Sequence, residues 1–270
     1  MADAYDSAHC RLSMDATLAE AHNLQDRQYR DAHGLFYAEG VRNFVQMADN
    51  GFDFVTILYS ERLLTAPLAR KLVRRFRRCG IPTMRLSPEQ FRKVSRTKRA
   101  SGVGAIVRQR WARLHGVRPK SGLCWVVLGQ VRSLGNFGTL IRTSEAVGGA
   151  GFILLENSVD PYSPAALRAA MGALFRQQFV RTSARSLRHW IRRHRLHVIG
   201  ASPDGAVDFH QLSFPRSTLL FLGEERMGLT SEQREMCHQF VRIPMVGSAD
   251  SLNLGVAGSL LMYEVYRSNE

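Results

Sequence analysis

The stretch 219–265 constrains this chain most. Residues 219–222 (LLFL) are an apolar run of strand length stopped by Gly223 and the acidic pair Glu224 and Glu225, and residues 240–243 are a second run stopped at Pro244. A terminal helix follows, with Leu252, Leu254, Val256, Leu260, Leu261, Tyr263 and Val265 spread around most of its circumference. Each loop of small and polar residues stands where a strand ends, and in open α/β sheets ligands bind beyond the carboxyl ends of strands. The two loops are therefore expected to wall a small-molecule pocket. The extra apolar face of the last helix calls for a subunit partner as well as a core.

The chain ahead of this stretch repeats the same grammar. Apolar runs at 124–128, 152–155 and 197–200 read as strands, and 139–147, 164–175, 186–195 and 231–238 read as helices. Strands separated by helices of this length give a largely parallel sheet covered on both faces, an α/β domain. Nearer the N-terminus, Val41, Phe44, Val45 and Ala48 share one helical face, and 54–58 has strand character. Residues 65–79 read as a helix with Leu68, Leu72, Val73 and Phe76 inward, ended by Gly80 and Pro82, and 83–86 is a short strand. Ser87-Pro88-Glu89-Gln90 has the cap, the first-turn proline and the third-position glutamine of a capping box. This alternation makes a small α/β/α unit over 25–105. Residues 1–24 are polar and short of large apolar side chains, so a mobile arm or a loosely held helix is expected. Residues 106–122, with Gly116, Pro119 and Gly122 and no sustained period, read as a linker to a second domain at 123–270.

Charge narrows the class of partner. The 270 residues are 45% hydrophobic and 22% charged, ordinary globular content, but the net charge is +14 and the pI lies near 10.5. Such a field favours a polyanion, most often nucleic acid. Arg70, Lys71, Arg74, Arg75, Arg77 and Arg78 crowd one helix, and Arg92, Lys93, Arg96, Lys98 and Arg99 follow. A solvated face is the plain alternative, yet Glu89 is the sole acid between Arg62 and Lys120, so i to i+4 pairing cannot neutralise these cations. Arg74, Arg75, Arg78, Arg96, Lys98 and Arg99 are the candidate phosphate contacts. Cys10, Cys79, Cys124 and Cys237 lack paired spacing, which argues against a zinc site or a disulfide framework and for a reducing, cytoplasmic setting. No apolar stretch approaches the roughly 18 residues of a membrane span, and the N-terminus lacks a basic segment followed by an apolar one.

Three stretches can carry chemistry. In GQVRSLGNFGTLIRTSEAVGGAG a strand end leads to a loop with Asn136 and Gly138 and then a helix whose first turns contain Arg142. An arginine there opposes the helix dipole, which is better explained if it meets a phosphate or carboxylate; a plain surface arginine is the alternative. G-x-G-x-x-G is not present in dinucleotide-binding form. In Gly223–Thr230 two carboxylates stand between glycines, which alone could be a turn with Thr230 or Ser231 as a helix cap. The third stretch is Ile243-Pro244-Met245 with Ser251-Leu252-Asn253, where Ser251 could also cap the last helix.

Taken together and in order, Asn136-x-Gly138-x-x-x-Arg142, Leu222-Gly223-x-Glu225-x-x-Gly228-Leu229, and Ile243-Pro244-Met245 with Ser251-Leu252-Asn253-Leu254 resemble the three motifs of the SpoU (TrmH-like) branch of the SPOUT RNA methyltransferases, over about 123–268. Residues 30–105 are similar to the ribosomal-protein-like substrate-binding domain of many members. The resemblance implies methyl transfer from S-adenosylmethionine to a ribose 2′-hydroxyl, a homodimer, and a C-terminal trefoil knot, which physical reasoning would not give because threaded chains are close to absent. It implies functional roles for Asn136, Arg142, Glu225, Ser251 and Asn253, and cofactor contacts at Gly223, Ile243, Met245 and Leu252. Under it Arg142 is either the general base of the family account or, since guanidinium keeps its proton, a grip on the target phosphate that stabilises the developing alkoxide. The separate N-terminal domain favours ribosomal over transfer RNA; a non-catalytic RNA-binding or ribosome-assembly protein is the contrasting expectation. The usual aspartate-proline pair before the asparagine is Ser133-Leu134 or Leu134-Gly135 here, and Glu224 stands where asparagine is frequent. Asp160-Pro161-Tyr162-Ser163-Pro164 with Arg168 resembles a further family segment, substrate-facing or structural.

Overall fold

The computed structural model describes residues 13–97, 99–156, 158–215 and 218–270. They form two compact units. The first runs to Arg110 and takes in Tyr162–Leu167, and the second comprises Trp111–Pro161 and the described residues from Arg168 onward.

In the first unit the chain order is α1 (Met14–Asn23), α2 (Arg27–His33), β1 (Leu35–Glu39), α3 (Val41–Asp49), β2 (Phe54–Tyr59), α4 (Pro67–Arg78), β3 (Thr83–Arg85), α5 (Pro88–Val94) and β4 (Val103–Arg108). The sheet order is β1-β4-β2-β3, with β4 antiparallel to both neighbours and β2 parallel to β3. One sheet face, with Leu35, Tyr37, Leu58 and Ile106, packs with Ala21, Leu24, Phe91 and Val94 from α1, the turn after it, and α5. Elsewhere the core carries aromatics, Phe54 lying 5.5 Å from Phe44 and 4.7 Å from Phe76 between ring centroids. The capping box of α5 forms as its sequence implies, Ser87 Oγ accepting from Gln90 N and Gln90 Oε1 from Ser87 N.

Four expectations are corrected here. Of the arm or loosely held helix expected at 1–24, the described residues 13–24 form the helix and not the arm, and it is firmly held: Ser13 caps α1, and Ala21 and Leu24 are 0% and 1% exposed. Thr17 and Glu20 are buried beside Ala21, and Leu18 packs against the same cluster, so the helix is held along one face. Strands β1 and β4 escape the periodicity because both are buried on two faces, so neither alternates. On α3 it is Asn43, Phe44 and Met47 that are buried, and on α4 Leu68 is exposed while Ala69, Leu72 and Val73 turn inward. The stretch 106–122 is not a free linker, since β4 occupies its start and Val117 joins the second unit's core. Residues 1–12 and Lys98 lie outside the described residues.

The second unit holds β5 (Cys124–Leu128), α6 (Leu134–Ala146), β6 (Gly151–Leu155), β7 (Gln178–Thr182), α8 (Ala184–His194), β8 (Val198–Ala201), β9 (Val207–Asp208), β10 (Thr218–Leu222), α9 (Ser231–Arg234), β11 (Gln239–Arg242) and α10 (Leu254–Arg267), with α7 (Pro164–Ala170) between β6 and β7. Its seven strands run β7-β6-β5-β10-β8-β11-β9, every pair parallel. The α/β reading with a parallel sheet therefore stands. One face packs Trp125, Val127, Ile153 and Phe221 against Leu187, Trp190 and Ile191 of α8. α6 and α10 pack together: Thr143 and Ser259 share a 2.8 Å hydrogen bond, and a Cβ on Gly258 would stand 2.3 Å from Leu140 and 2.7 Å from Leu222. β7 was not foreseen, because the expected helix 164–175 ends early at Met171 and Gly172, both with positive φ.

Tyr162 settles part of the 160–164 segment as structural in the first unit. Its hydroxyl donates to Arg110 O at 2.6 Å and accepts from Arg110 N at 2.9 Å, and its ring lies 4.7 Å from Phe36. Among the described residues no helix is long and apolar enough to cross a membrane, and no group of three or more His, Cys, Asp or Glu could hold a metal ion.

Candidate functional site

The site is organised by one carboxylate at the N-terminus of α6. Ser133 caps this helix, accepting from Asn136 N, so Asn136 sits in the first turn rather than in a preceding loop. The helix N-terminus leaves backbone N–H groups without intrahelical acceptors. Glu225 supplies one: its carboxylate accepts from Arg132 N at 3.2 Å, Ser133 N at 3.1 Å and Asn136 Nδ2 at 3.3 Å. Burial alone would raise the Glu225 pKa, but backbone N–H groups, its own included, together with the Asn136 amide hold it below the usual carboxylate range. Asn136 Oδ1 in turn accepts from Asn253 Nδ2 at 2.9 Å. Asn253, not Ser251, caps α10, accepting from Gly255 N at 2.9 Å. Hydrogen bonds thus join three segments distant in sequence, in the order Glu225, Asn136, Asn253.

Beside this chain of bonds lies a cavity of about 400 Å³, within the size of ordinary small-molecule sites. Gly223, Ile243, Met245, Ser251 and Leu252 all line it, with Glu224 and Glu225. The loop 224–228 is closed by paired backbone hydrogen bonds between Glu224 and Gly228, 3.0 Å each way, and Gly228 takes the left-handed φ of 65° that the turn needs. Gly223 is required by that closure, because a Cβ there would meet Gly228 C at 2.3 Å and Leu229 N at 2.6 Å. Glu224 pairs with the Arg132 guanidinium. Thr230, not Ser231, caps α9 through a capping box with Gln233.

Arg142 stands apart. It lies past the middle of the 13-residue α6, so the dipole argument made for a helix start does not apply to it. Its side chain is exposed, does not line the cavity, and has no hydrogen bond or ion pair among the described residues. On α10, Val256, Leu260, Tyr263 and Tyr266 are 48%, 40%, 54% and 39% exposed, an apolar face without a partner among the described residues.

In the first unit Arg74, Arg75 and Arg78 are exposed along α4, and Arg96 and Arg99 are exposed after α5. The loop carrying the latter is held by Glu39, which sequence reasoning missed. Its carboxylate accepts from Ser95 Oγ at 2.8 Å, Arg96 N at 3.1 Å, Thr97 Oγ1 at 3.1 Å and Ser101 N at 3.2 Å. A lone acid at a strand end beside a Ser/Thr-rich basic loop was the available signal. Arg132 and Ser133 were likewise missed as partners of Glu225 and Glu224, because backbone donors leave no trace in residue type.

Comparison with known proteins follows the same division. Residues 124–263 match the SpoU rRNA Methylase family, and residues 16–105 match an MRM3-like substrate binding domain. The chain is 30% identical over 251 residues to a 23S rRNA (uridine(2479)-2′-O)-methyltransferase of Streptomyces viridochromogenes, covering 90% of this chain and 86% of the relative. The crystal structure of an AdoMet-bound rRNA methyltransferase from Sinorhizobium meliloti matches with a TM-score of 0.86 at 28% identity, over 95% of this chain and 96% of that one. The SpoU methyltransferase AviRb from S. viridochromogenes, in complex with AdoMet, matches with a TM-score of 0.85 at 28% identity, over 94% and 98%.

Proposed function

This chain belongs to the SpoU rRNA methylase family, and on that premise we propose how its residues divide the work of methyl transfer. The protein is an S-adenosylmethionine-dependent RNA 2′-O-ribose methyltransferase. The observation that carries the assignment of roles is the hydrogen-bonded chain Glu225–Asn136–Asn253 beside a cavity of about 400 Å³.

The cavity fits S-adenosylmethionine. Its walls combine apolar side chains of Ile243, Met245 and Leu252, suited to an adenine face, with the carboxylates Glu224, Asp204 and Asp250, suited to cationic groups. Bound there, the cofactor supplies an electrophilic methyl on sulfur. The chain's own residues do the rest. Glu225, saturated by the N–H groups of Arg132 and Ser133 and the amide of Asn136, is a positioning residue that fixes the N-terminus of α6 against the cofactor loops. Asn136 and Asn253 lock that helix to the start of α10. Ser251 lines the cavity and is the side chain offered to the ribose. Arg142, a cationic guanidinium, grips the target phosphate and stabilises the negative charge that develops on the 2′-oxygen as it takes the methyl group, the hydroxyl proton passing to solvent water and the S–CH3 bonding pair staying on the sulfur; holding the reacting groups in line removes much of the entropic barrier.

We assign the substrate to ribosomal RNA. Support comes from the N-terminal match to a substrate-binding domain and from the 23S rRNA activity named for the S. viridochromogenes relative. Arg74, Arg75, Arg78, Arg96, Lys98 and Arg99 are its phosphate contacts. The reading makes the protein a cytoplasmic homodimer whose α10 faces, with Leu260 and Tyr263, meet. The sheet order β10-β8-β11, with α10 returning from beyond β11 to pack on α6 and β10, supports a trefoil knot in the C-terminal segment. Incubation with methyl-labelled S-adenosylmethionine and separate ribosomal and transfer RNA pools tests the whole. Label in ribosomal RNA at an alkali-resistant linkage is expected; label in transfer RNA alone overturns the substrate assignment, and label in neither overturns the catalytic roles.

A further inference from the structure

At the β7 edge of the second unit's sheet lies a larger depression, about 1050 Å³, that the methyl-transfer site does not use. Strands β6 and β5 separate β7 from β10, the strand that leads into the cofactor loops, which is roughly 14 Å at about 4.8 Å per strand. One wall is the chain entering the unit, Trp111, Arg113 and His115, held to the sheet edge by a bridge between Ala112 and Val180. The opposite wall is α8, which presents Arg185, His189 and Arg193 at successive i+4 positions on one face.

Among the described residues, no acidic one lines this depression. Arg113, Arg185 and Arg193 are exposed and have no ion pair among the described residues. On α8, Arg188, which does not line the depression, is matched by Glu235 at 3.2 Å. The N-terminus of α8 adds nothing, because Glu156 already accepts from Ala184 N at 2.8 Å.

Aromatic surface completes the site. The Arg181 guanidinium lies 3.8 Å over the Trp111 ring, fixing that indole in place. Trp190 is 4% exposed, and its indole N–H, a donor that buried tryptophans ordinarily satisfy, has no acceptor among the described residues. The volume is at the upper end of the roughly 300–1,000 Å³ of small-molecule sites. Unpaired arginines at helical spacing beside indole faces are the combination by which proteins hold single-stranded nucleic acid, phosphates on the cations and bases against the rings.

We propose that this groove is a second RNA-binding site, in which a single-stranded segment flanking the target nucleotide lays its phosphates on Arg113, Arg185 and Arg193 and a base against Trp111. The proposal rests on the RNA-methyltransferase reading for the identity of the polyanion, but its test does not depend on methyl transfer. The chain has three tryptophans, and two of them, Trp111 and Trp190, line the groove while Trp125 is 1% exposed in β5. Intrinsic fluorescence therefore reports the groove directly.

The full-length protein is titrated with an unlabelled single-stranded RNA 12-mer while tryptophan emission is read, with anisotropy of a labelled 12-mer in parallel. Saturable quenching that follows the anisotropy curve is expected. In the Arg113→Ala/Arg185→Ala/Arg193→Ala variant the affinity falls at least about tenfold and the log–log salt slope drops by roughly 2, at about 0.7 per lost phosphate contact. Calorimetric binding of S-adenosylmethionine by that variant, unchanged from the parent, shows that it is folded. Ultraviolet crosslinks from 5-bromouridine RNA are expected at Trp111, which keeps the question answerable on the unmodified protein if the variant does not fold. RNA binding with unchanged emission and no crosslink in 111–115 or 181–194 overturns the proposal, as does equal quenching by polyglutamate, which would make the groove a site for an acidic polypeptide. Failure of the methyl-transfer assay alone leaves these readings untouched.

Discussion

Replacing Glu225 by glutamine tests whether a carboxylate, and not merely a hydrogen-bonding side chain, holds α6 to the cofactor loops. The carboxylate accepts two backbone N–H groups and one amide at 3.1–3.3 Å. Charge-assisted hydrogen bonds are worth about 1.5–3 kcal/mol each when well buried. Glu225 is only half-buried, and glutamine retains one accepting oxygen, so the expected loss is about 1–2 kcal/mol. For a unit of this size that is a fall of roughly 3–6 °C in Tm at pH 7. The sign of the pH dependence follows from the depressed folded pKa. Protonation is harder in the folded state, so the stabilisation is fully present above the unfolded value of about 4.3 and is lost as pH falls through the folded value. Urea midpoints of parent and Glu225→Gln protein should differ at pH 7 and converge between pH 4.3 and the acid limit. Equal midpoints at pH 7, or a gap that persists unchanged on acidification, would refute the argument that ionised Glu225 clamps the helix.

Three further outcomes follow from the site. Arg142→Lys keeps the charge but not the planar fork, so methyl transfer should fall at least about a hundredfold while RNA affinity in filter binding stays within about twofold of the parent. Retained activity would reduce Arg142 to simple charge attraction. Gly223→Ala places a methyl 2.3 Å from Gly228 C, which must open the loop; calorimetry should show S-adenosylmethionine affinity lower by at least about tenfold, or 1.4 kcal/mol. Leu260→Asp puts a charge on the exposed face of α10; light scattering should show monomer, with activity lost alongside.

The legible parts of the chain were those whose side chains carry the signal. Residues 124–128, 152–155 and 219–222 are continuous apolar runs, and they form central strands of the parallel sheet. Strand ends pointed to the two loops, the family resemblance singled out Gly223, Ile243, Met245, Ser251 and Leu252 on them, and the fold gathers these five around one cavity. What stayed hidden depended on backbone or on pairing across long separations. β4 is buried on both faces and includes Gly104, whose Cβ would strike the Tyr37 hydroxyl at 2.3 Å, so no alternation betrays it. The role of Glu225 rests largely on main-chain donors of Arg132 and Ser133, ninety residues away in sequence. The stretch 106–122 looked like a linker because its two glycines and one proline outweigh a period, yet Ala112 extends the sheet edge and Trp111 is packed under Arg181.

The position of Arg142 bears on how many chains make one site. It follows Asn136 by six residues on α6, which carries it roughly 9 Å along the helix and about 240° around it, away from the bonds that tie Asn136 to Glu225 and Asn253. A side chain so placed is poorly disposed to serve the cavity of its own chain. It lies instead on the helix that packs beside the exposed apolar face of α10, the face assigned to the dimer. If one working site draws its arginine from one protomer and its cofactor loops from the other, then Arg142→Ala and Gly223→Ala proteins, assayed at a cofactor concentration too low to load the Gly223→Ala site, should complement on mixing after partial denaturation and reassembly. Random pairing makes half the dimers mixed, and each mixed dimer has one site with both parts intact, so recovery of about a quarter of the parent activity is expected. Sites contained within single chains would give no recovery at any mixing ratio, because every chain in the mixture would then carry a defective site.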